Sequence, residues 1–370
     1  MTIQKMKRVE LEISSDCNAA CPGCARTQNL GKFGVYNHSL ADIQSWLPTR
    51  DSIENKIFKL CGVLGDPIVN PECLEITEYL VANGGHVHYS TNGGRQNADW
   101  WFKLGKLAAL TDQVKVHFCV DGHNETNHIY RVNTVYKVVD RNMAAYSAGG
   151  ASTGGHAEAS WIYIVFDHNE HEVETARKRA EELNIRFATR TGMRNTFHEW
   201  VAKIKKKDHA AKKIVTEEKT ITTTGAKEHS KVEVVKALDA VIETYAGKSQ
   251  AEVEQQVADN APVFEEIIKS ISCKFYHDRE IFVASDGTLW PCCFLWDSYF
   301  KNKDGIREQY ADLPEGWNDL RQHSINDILA TDYYKRVLAD SWNPAHNLHV
   351  NRCIRTCAKN RAYHNEIKYV

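Results

Sequence analysis

Residues Arg8–Arg26 read RVELEISSDCNAACPGCAR, and this stretch decides how the rest of the chain is understood. A β-branched, apolar run over Arg8–Ser14 predicts a buried strand. It breaks into a polar loop carrying Cys17, Cys21 and Cys24, a C-x3-C-x2-C spacing just past the strand's carboxyl end. Three thiolates are soft metal donors, one short of the four that a structural zinc site normally takes. They suit a zinc ion completed by a distant residue, or a four-iron cluster held by three cysteines with one iron left open.

Outward from this loop, further short apolar runs predict strands at Ile57–Cys61, Val87–Ser90, Val114–Val120, Ser160–Phe166 and Ile185–Ala188. Helical spacing falls between them at Leu40–Trp46, Glu72–Ala82, Ala98–Leu110, Val135–Ser147 and Glu170–Leu183, the last with Asn169 as its expected cap. Strands alternating with helices demand a mainly parallel α/β sheet with right-handed crossovers. Six such units fit a partial (β/α)6 barrel, open or incomplete, with a doubly wound sheet as the competing arrangement. In either, functional groups belong at the carboxyl ends of the strands.

The 370 residues carry 46 Lys+Arg against 48 Asp+Glu, a net charge of −2, which gives no general reason to bind nucleic acid or an anionic membrane. No run of 18 apolar residues occurs, and the start MTIQKMKR lacks a signal-like apolar segment, so a soluble cytoplasmic protein is expected. In a reducing compartment the 11 cysteines read as metal ligands where they cluster, rather than as disulfides. None occurs between Cys119 and Cys273; Cys61 and Cys73 are expected to be buried packing. From about Arg190 to Lys269 the composition turns to Lys, Glu, Thr and Ala, and reads as a charged connector. Its Lys203, Lys205, Lys206 and Lys207 could steer an acidic substrate. Asn260–Ser272 then predicts one more helix.

The second cysteine group comprises Cys273, Cys292, Cys293, Cys353 and Cys357. EIFVASDGTLWPCC (Glu280–Cys293) reads as a β-hairpin turning at Asp286-Gly287, which brings Cys273 toward Cys292. Cys273, Cys292, Cys353 and Cys357 would saturate one four-iron cluster, with Cys292 and Cys293 able to exchange roles; a zinc ribbon is the alternative.

The three-cysteine loop at the end of the first strand resembles the radical S-adenosylmethionine (radical SAM) superfamily. Later strand ends extend the likeness. LCGVLGDPIVNPE, with Gly65-Asp66-Pro67, resembles the family's Gly-Gly-Glu-Pro motif, although Leu64 and Asp66 replace Gly and Glu. YSTNGG supplies Ser90 and Asn92, and FCVDGHNETNHIYR is similar to S-x-D-G followed by Y-R, with Cys119 at the serine position and Arg131 as the arginine. Gly23 stands where relatives carry an aromatic residue. The tail, with Cys273, Gly287 and Cys292, resembles the SPASM or twitch extension, in its shortened one-cluster form.

The resemblance implies a radical SAM core barrel over residues 1–190, a connector over 191–269, and a small α+β SPASM/twitch-like cluster domain over 270–370. It implies a [4Fe-4S] cluster on Cys17, Cys21 and Cys24 that chelates S-adenosylmethionine, with Gly65, Asp66, Ser90, Asn92, Cys119 and Arg131 around that cofactor. An auxiliary [4Fe-4S] cluster would occupy the tail. Reductive cleavage to a 5′-deoxyadenosyl radical and hydrogen abstraction from a peptide or protein substrate follow, giving a crosslink, oxidation or epimerisation, with flavodoxin or ferredoxin as electron donor. Cys119 and Cys293 are candidate hydrogen donors in an epimerase. A small-molecule dehydrogenase of twitch type is the alternative enzyme, and a noncatalytic zinc or iron–sulfur module the alternative of another class.

Overall fold

The computed structural model describes residues 1–190, 249–259, 265, 268–303, 306–343, 346, 350–358 and 368–369. The alternating runs form six parallel strands: β1 (Arg8–Leu11), β2 (Ile57–Leu60), β3 (His86–Thr91), β4 (Val114–Cys119), β5 (Ala159–Ile164) and β6 (Arg186–Arg190). They lie side by side in chain order. A doubly wound sheet reverses its strand order at a switch point, and these six strands do not. Right-handed crossovers without reversal stack their helices on one face. There, Val87, Tyr89, Trp101, Phe118, Tyr146 and Trp161 are buried among helices that include Cys73–Ala82, Ala98–Thr111 and Tyr136–Ala151.

The carboxyl-terminal part extends this sheet instead of standing apart from it. β7 (Glu280–Val283) pairs parallel to β1, and β8 (Leu289–Trp290) pairs antiparallel to β7. The hairpin turns at Asp286-Gly287 as expected, with Gly287 at φ +82°, a left-handed conformation that glycine adopts without strain. At the other edge β9 (Lys368–Tyr369) runs antiparallel to β6. The order β8-β7-β1-β2-β3-β4-β5-β6-β9 leaves two edges among the described residues, an open mixed sheet and not a closed barrel.

Asn169 stands at the N-cap position of the 3-10 turn Glu170–Glu172, but its side chain makes no capping bond. Its fully buried carboxamide donates to the carbonyls of Asp121 (2.8 Å) and Ile164 (2.9 Å) and accepts from Phe166 N–H (2.7 Å), tying the ends of β4 and β5 together. The helix after it starts as a 3-10 turn, Glu170–Glu172, before Val173–Glu182. Cys73 is buried as expected, whereas Cys61 is only half-buried on the sheet face away from the helices. Its thiol donates to Glu10 Oε1 (3.4 Å). Lys203, Lys205, Lys206, Lys207 and most of Asn260–Ser272 lie outside the described residues; Gln250–Asp259 is helical. No described helix is long and apolar enough to cross a membrane.

Charge joins the tail to the core on that second face. The Glu280 side chain, 1% exposed, takes ion pairs from Lys59 of β2 and from Lys274 (2.8 Å), and Lys274 also approaches Glu10 of β1 (3.7 Å). Removing one partner from such a group leaves partly desolvated ammonium ions uncompensated. Glu280→Ala should therefore cost about 3–5 kcal/mol, read as a lowered midpoint in chemical denaturation, with Glu280→Gln recovering part of the loss.

Candidate functional site

The first cysteine loop leaves β1 and settles over the ends of β4 and β5. Cys21 is buried with Ala19, Tyr130, Ile164 and Phe166, and Cys17 and Cys24 pack against the same apolar cluster. Cys24 N–H closes a turn onto Cys21 C=O (3.0 Å), and Cys24 immediately precedes the helical turn Ala25–Gln28. N–H donors aim at the sulfurs. Ala19 N–H (3.4 Å) and Asn92 Nδ2 (3.6 Å) point at Cys17 Sγ, and Arg131 Nη1 (3.7 Å) at Cys21 Sγ.

Burial pushes the Cys17 thiol far above its ordinary range, with Asp66 adding to the effect. Burial also raises Cys21, to about 11, against the pull of Arg131. These thiols ionise only with a cationic centre to compensate them. Among the described residues no three His, Cys, Asp or Glu side chains close on a single point as a bare ion needs. The loop carries three thiols, two of them with sulfur-directed N–H groups of the kind that tune iron–sulfur clusters.

Around the loop the second strand end is built on two buried carboxylates. Asp66 accepts from Thr91 Oγ1 (2.8 Å), Asn92 N–H (2.8 Å) and Asn92 Nδ2 (2.7 Å), while its own N–H donates to Asp16 C=O (2.8 Å). Burial raises its pKa and these donors oppose the rise. The carboxylate therefore orients Asn92, whose carboxamide exchanges two hydrogen bonds with Asn18 (3.0 and 3.3 Å) in the cysteine loop. Glu12, one residue past β1, accepts from Leu64 N–H (2.6 Å), Gly65 N–H (3.2 Å) and Ser285 Oγ (3.0 Å). Burial pushes Glu12 up to about 7, with these same donors pulling it down. It links the core loop to the β7–β8 turn.

Gly65 is where it is because nothing larger fits: a Cβ there would sit 1.7 Å from Ser14 O. Ser90 is exposed on the second face, opposite in direction to Thr91, and is not drawn into the Asp66 network. Arg131 is held by Asp121, with Nε 2.6 Å from Oδ2, and lies against the Tyr130 ring. The half-buried Cys119 points to the second face; burial raises its thiol and Arg131 lowers it. Sequence reasoning passed over Glu12 and Asn18, whereas Thr91 was among the hydrogen-bonding groups of YSTNGG. A signal for Glu12 was present, since VELEI alternates carboxylates along a strand otherwise apolar on both sides.

The second cysteine group converges from three segments. Cys273 precedes the turn Lys274–Asp278, and Phe275 and Tyr276 N–H groups face its sulfur; Cys292 precedes the helix Cys293–Phe300 and receives Phe294 and Leu295 N–H in the same way. Cys353 and Cys357 stand one turn apart on the helix Asn351–Cys357, and Ser272 N–H binds Cys357 C=O (2.9 Å). Cys357 opposes the ionisation of Cys273, and Cys292, Cys273 and Cys357 oppose that of Cys353. Burial pushes Cys273 up to about 11 and Cys292 up to about 12. Tyr310, Tyr333 and Tyr334 shield this group. Cys293 turns the other way, toward Glu10, Lys274 and Cys61.

The SPASM family, an iron–sulfur cluster-binding domain, matches residues 273–359. Mycofactocin maturase MftC of Mycobacterium ulcerans (strain Agy99) is 26% identical over 164 residues, 44% of this chain and 41% of that protein. The chain thus matches about two fifths of the length of this curated relative. Among solved structures, native anSMEcpe with bound AdoMet aligns with a TM-score of 0.45 at 13% identity, covering 89% of this chain and 81% of that one. Streptococcus suis SuiB bound to S-adenosylmethionine aligns with a TM-score of 0.46 at 11% identity, covering 94% and 77%. Residues 273–359 thus match the SPASM iron–sulfur cluster-binding domain, and the cysteine loop and strand order ahead of them agree with the radical SAM resemblance read from the sequence.

Proposed function

We propose that the chain is an enzyme that cleaves S-adenosylmethionine reductively and modifies a peptide or protein substrate by hydrogen abstraction. The observation that carries this reading is the convergence of Cys17, Cys21 and Cys24 with Asp66, Asn92 and Arg131 at adjoining strand ends. Cys17, Cys21 and Cys24 would hold a [4Fe-4S] cluster, which when bound would supply the electron for reductive cleavage of the sulfonium. The protein's own part is placement. Asp66 orients Asn92 beside Cys17; Asp121 fixes the Arg131 guanidinium beside Cys21 while leaving it donors for a carboxylate. Gly65 keeps its backbone clear for the methionine amino group, and Ser90 and Cys119 face the same open side.

Cys273, Cys292, Cys353 and Cys357 would hold one auxiliary cluster, with Cys293 outside the ligand set and facing Glu10. Such a cluster, when bound, would supply an electron acceptor for the substrate or a site that positions it. The peptide reading draws on the SPASM domain and on a relative named a maturase. A small flavin or iron–sulfur protein would deliver the electron.

The test is release of 5′-deoxyadenosine from S-adenosylmethionine by the reconstituted, reduced protein, followed by mass spectrometry of a short precursor peptide encoded beside the gene. Release with a mass change in the peptide is expected. Release with turnover of a small alcohol or amine, and an unchanged peptide, would favour a dehydrogenase; no release from fully loaded protein would leave a noncatalytic module.

A further inference from the structure

The second face of the sheet carries, toward the ends of β4, β5 and β6, polar groups that the proposed cofactor site does not use. In the parallel register His117 lies opposite Ser160, Cys119 opposite Ile162, and Ile164 opposite Arg190. Side chains alternate along a strand, so His117, Cys119 and Arg190 all emerge on this face. Arg190 Nε and His117 Nδ1 are both sealed from solvent, and neither has a hydrogen-bond partner among the described residues.

The acids nearby are already engaged. Asp121 holds Arg131 (2.6 Å) and accepts from Ile164 N–H (2.6 Å); Glu158 pairs with Lys115 (2.7 Å) and Arg186 (3.7 Å). Arg190 makes no ion pair with either, and acts electrostatically on Asp121, His117 and Cys119. Its positive charge adds to burial in holding the His117 imidazole below its ordinary range, although Glu158 opposes this. Buried polar nitrogens without partners are uncommon in folded proteins and each calls for a cause. Two on one face, one of them on a permanently charged planar fork, are answered together by a carboxylate: the guanidinium takes it through parallel N–H bonds, and an imidazole N–H adds a third.

We propose that Arg190 and His117 form a carboxylate-binding site that anchors an acidic group of the substrate next to Cys119. This rests on the enzymatic reading for its purpose, but not for its chemistry. The carboxylate is that of an acidic residue in a peptide substrate; the methionine carboxylate of S-adenosylmethionine is the other source of the same group.

Binding to the anaerobically reconstituted full chain separates them without turnover. N-acetylaspartate amide, its asparagine counterpart and S-adenosylmethionine are each titrated by equilibrium dialysis into the native protein and into Arg190→Gln, Arg190→Lys and His117→Ala. The native protein should prefer the aspartate probe by about tenfold or more. Arg190→Gln should abolish that preference while S-adenosylmethionine binding stays within about twofold, and Arg190→Lys, which keeps charge but not the fork, should retain part of it. His117→Ala should weaken the aspartate probe less than Arg190→Gln does. If Arg190→Gln weakens S-adenosylmethionine and not the aspartate probe, the site is a carboxylate site for the cofactor, and the substrate assignment is overturned. If neither ligand responds in variants with native iron content and circular dichroism, the site itself is overturned, and 5′-deoxyadenosine release would still stand as the test of the enzymatic reading.

Discussion

Replacing Cys17, Cys21 and Cys24 together by alanine is expected to lower the iron of the reconstituted chain from about eight atoms to about four, and to abolish 5′-deoxyadenosine release. The two cysteine groups are built on different segments, and the thiols of each act on one another: Cys17 responds to Cys21 and Cys24, Cys273 to Cys357, Cys353 to Cys292 and Cys273. Loss of one set of thiolates should therefore leave the other cluster in place. Folding should survive, because the three side chains border only a small apolar group, Ala19, Tyr130, Ile164 and Phe166, and not the main core. Iron and acid-labile sulfide per chain measure the outcome. A native chain holding about four irons, all lost in the variant, would remove the tail cluster and with it electron transfer through that site. Cleavage persisting in the variant would defeat the assignment of the first loop.

Gly65→Ala is expected to be nearly as damaging through a single methyl group. Its Cβ would stand 1.7 Å from Ser14 O and 2.5 Å from Ser14 C, both backbone atoms that no rotamer change can move aside. One of the two strand ends must shift. If the 64–67 loop moves, Asp66 loses Asn92 and the Asp66 N–H to Asp16 C=O bond, and Glu12 loses the Leu64 and Gly65 N–H groups. If residues 14–16 move, the cysteine loop moves with them. Overpacking of this kind, with buried carboxylates left under-bonded, costs about 3–5 kcal/mol. The expected result is a large fall in the denaturation midpoint together with reduced iron uptake, whereas Val63→Ala, two residues away and partly exposed, should stay within about 1 kcal/mol. A Gly65→Ala protein with native midpoint and iron content would show that the two loops do not meet as closely as described.

How much of this was legible beforehand depends on the range of the forces involved. Alternation of Val114, Val116 and Phe118 against Lys115, His117 and Cys119 is a period-two pattern within one strand, and it placed β4 to within a residue. Asn169 looked like a cap because asparagine before a charged helical run favours that position locally. Burial beneath β4 and β5 gave its carboxamide three backbone partners instead, and those bonds prevailed over the local preference. Cys61 was read as inert packing, since a lone cysteine among apolar residues carries no directional signal. Its place on the second face, donating to Glu10, follows from the β1–β2 register.

From sequence alone came the parallel α/β architecture, the three-thiolate loop at the first strand end and the distal cysteine group, because strand periodicity and loop spacing are set by neighbours a few residues apart. Tertiary structure alone decided that the tail hairpin joins the core sheet through β7 and β1. It also turned Cys292 toward Cys273 and Cys353 while turning Cys293 toward Glu10. It engaged Arg131 with Asp121 and left Arg190 Nε without a hydrogen-bond partner among the described residues. Each of these depends on which side chains meet across strands far apart in the chain, and a buried charge or thiol takes its chemistry from those neighbours, not from its place in the sequence.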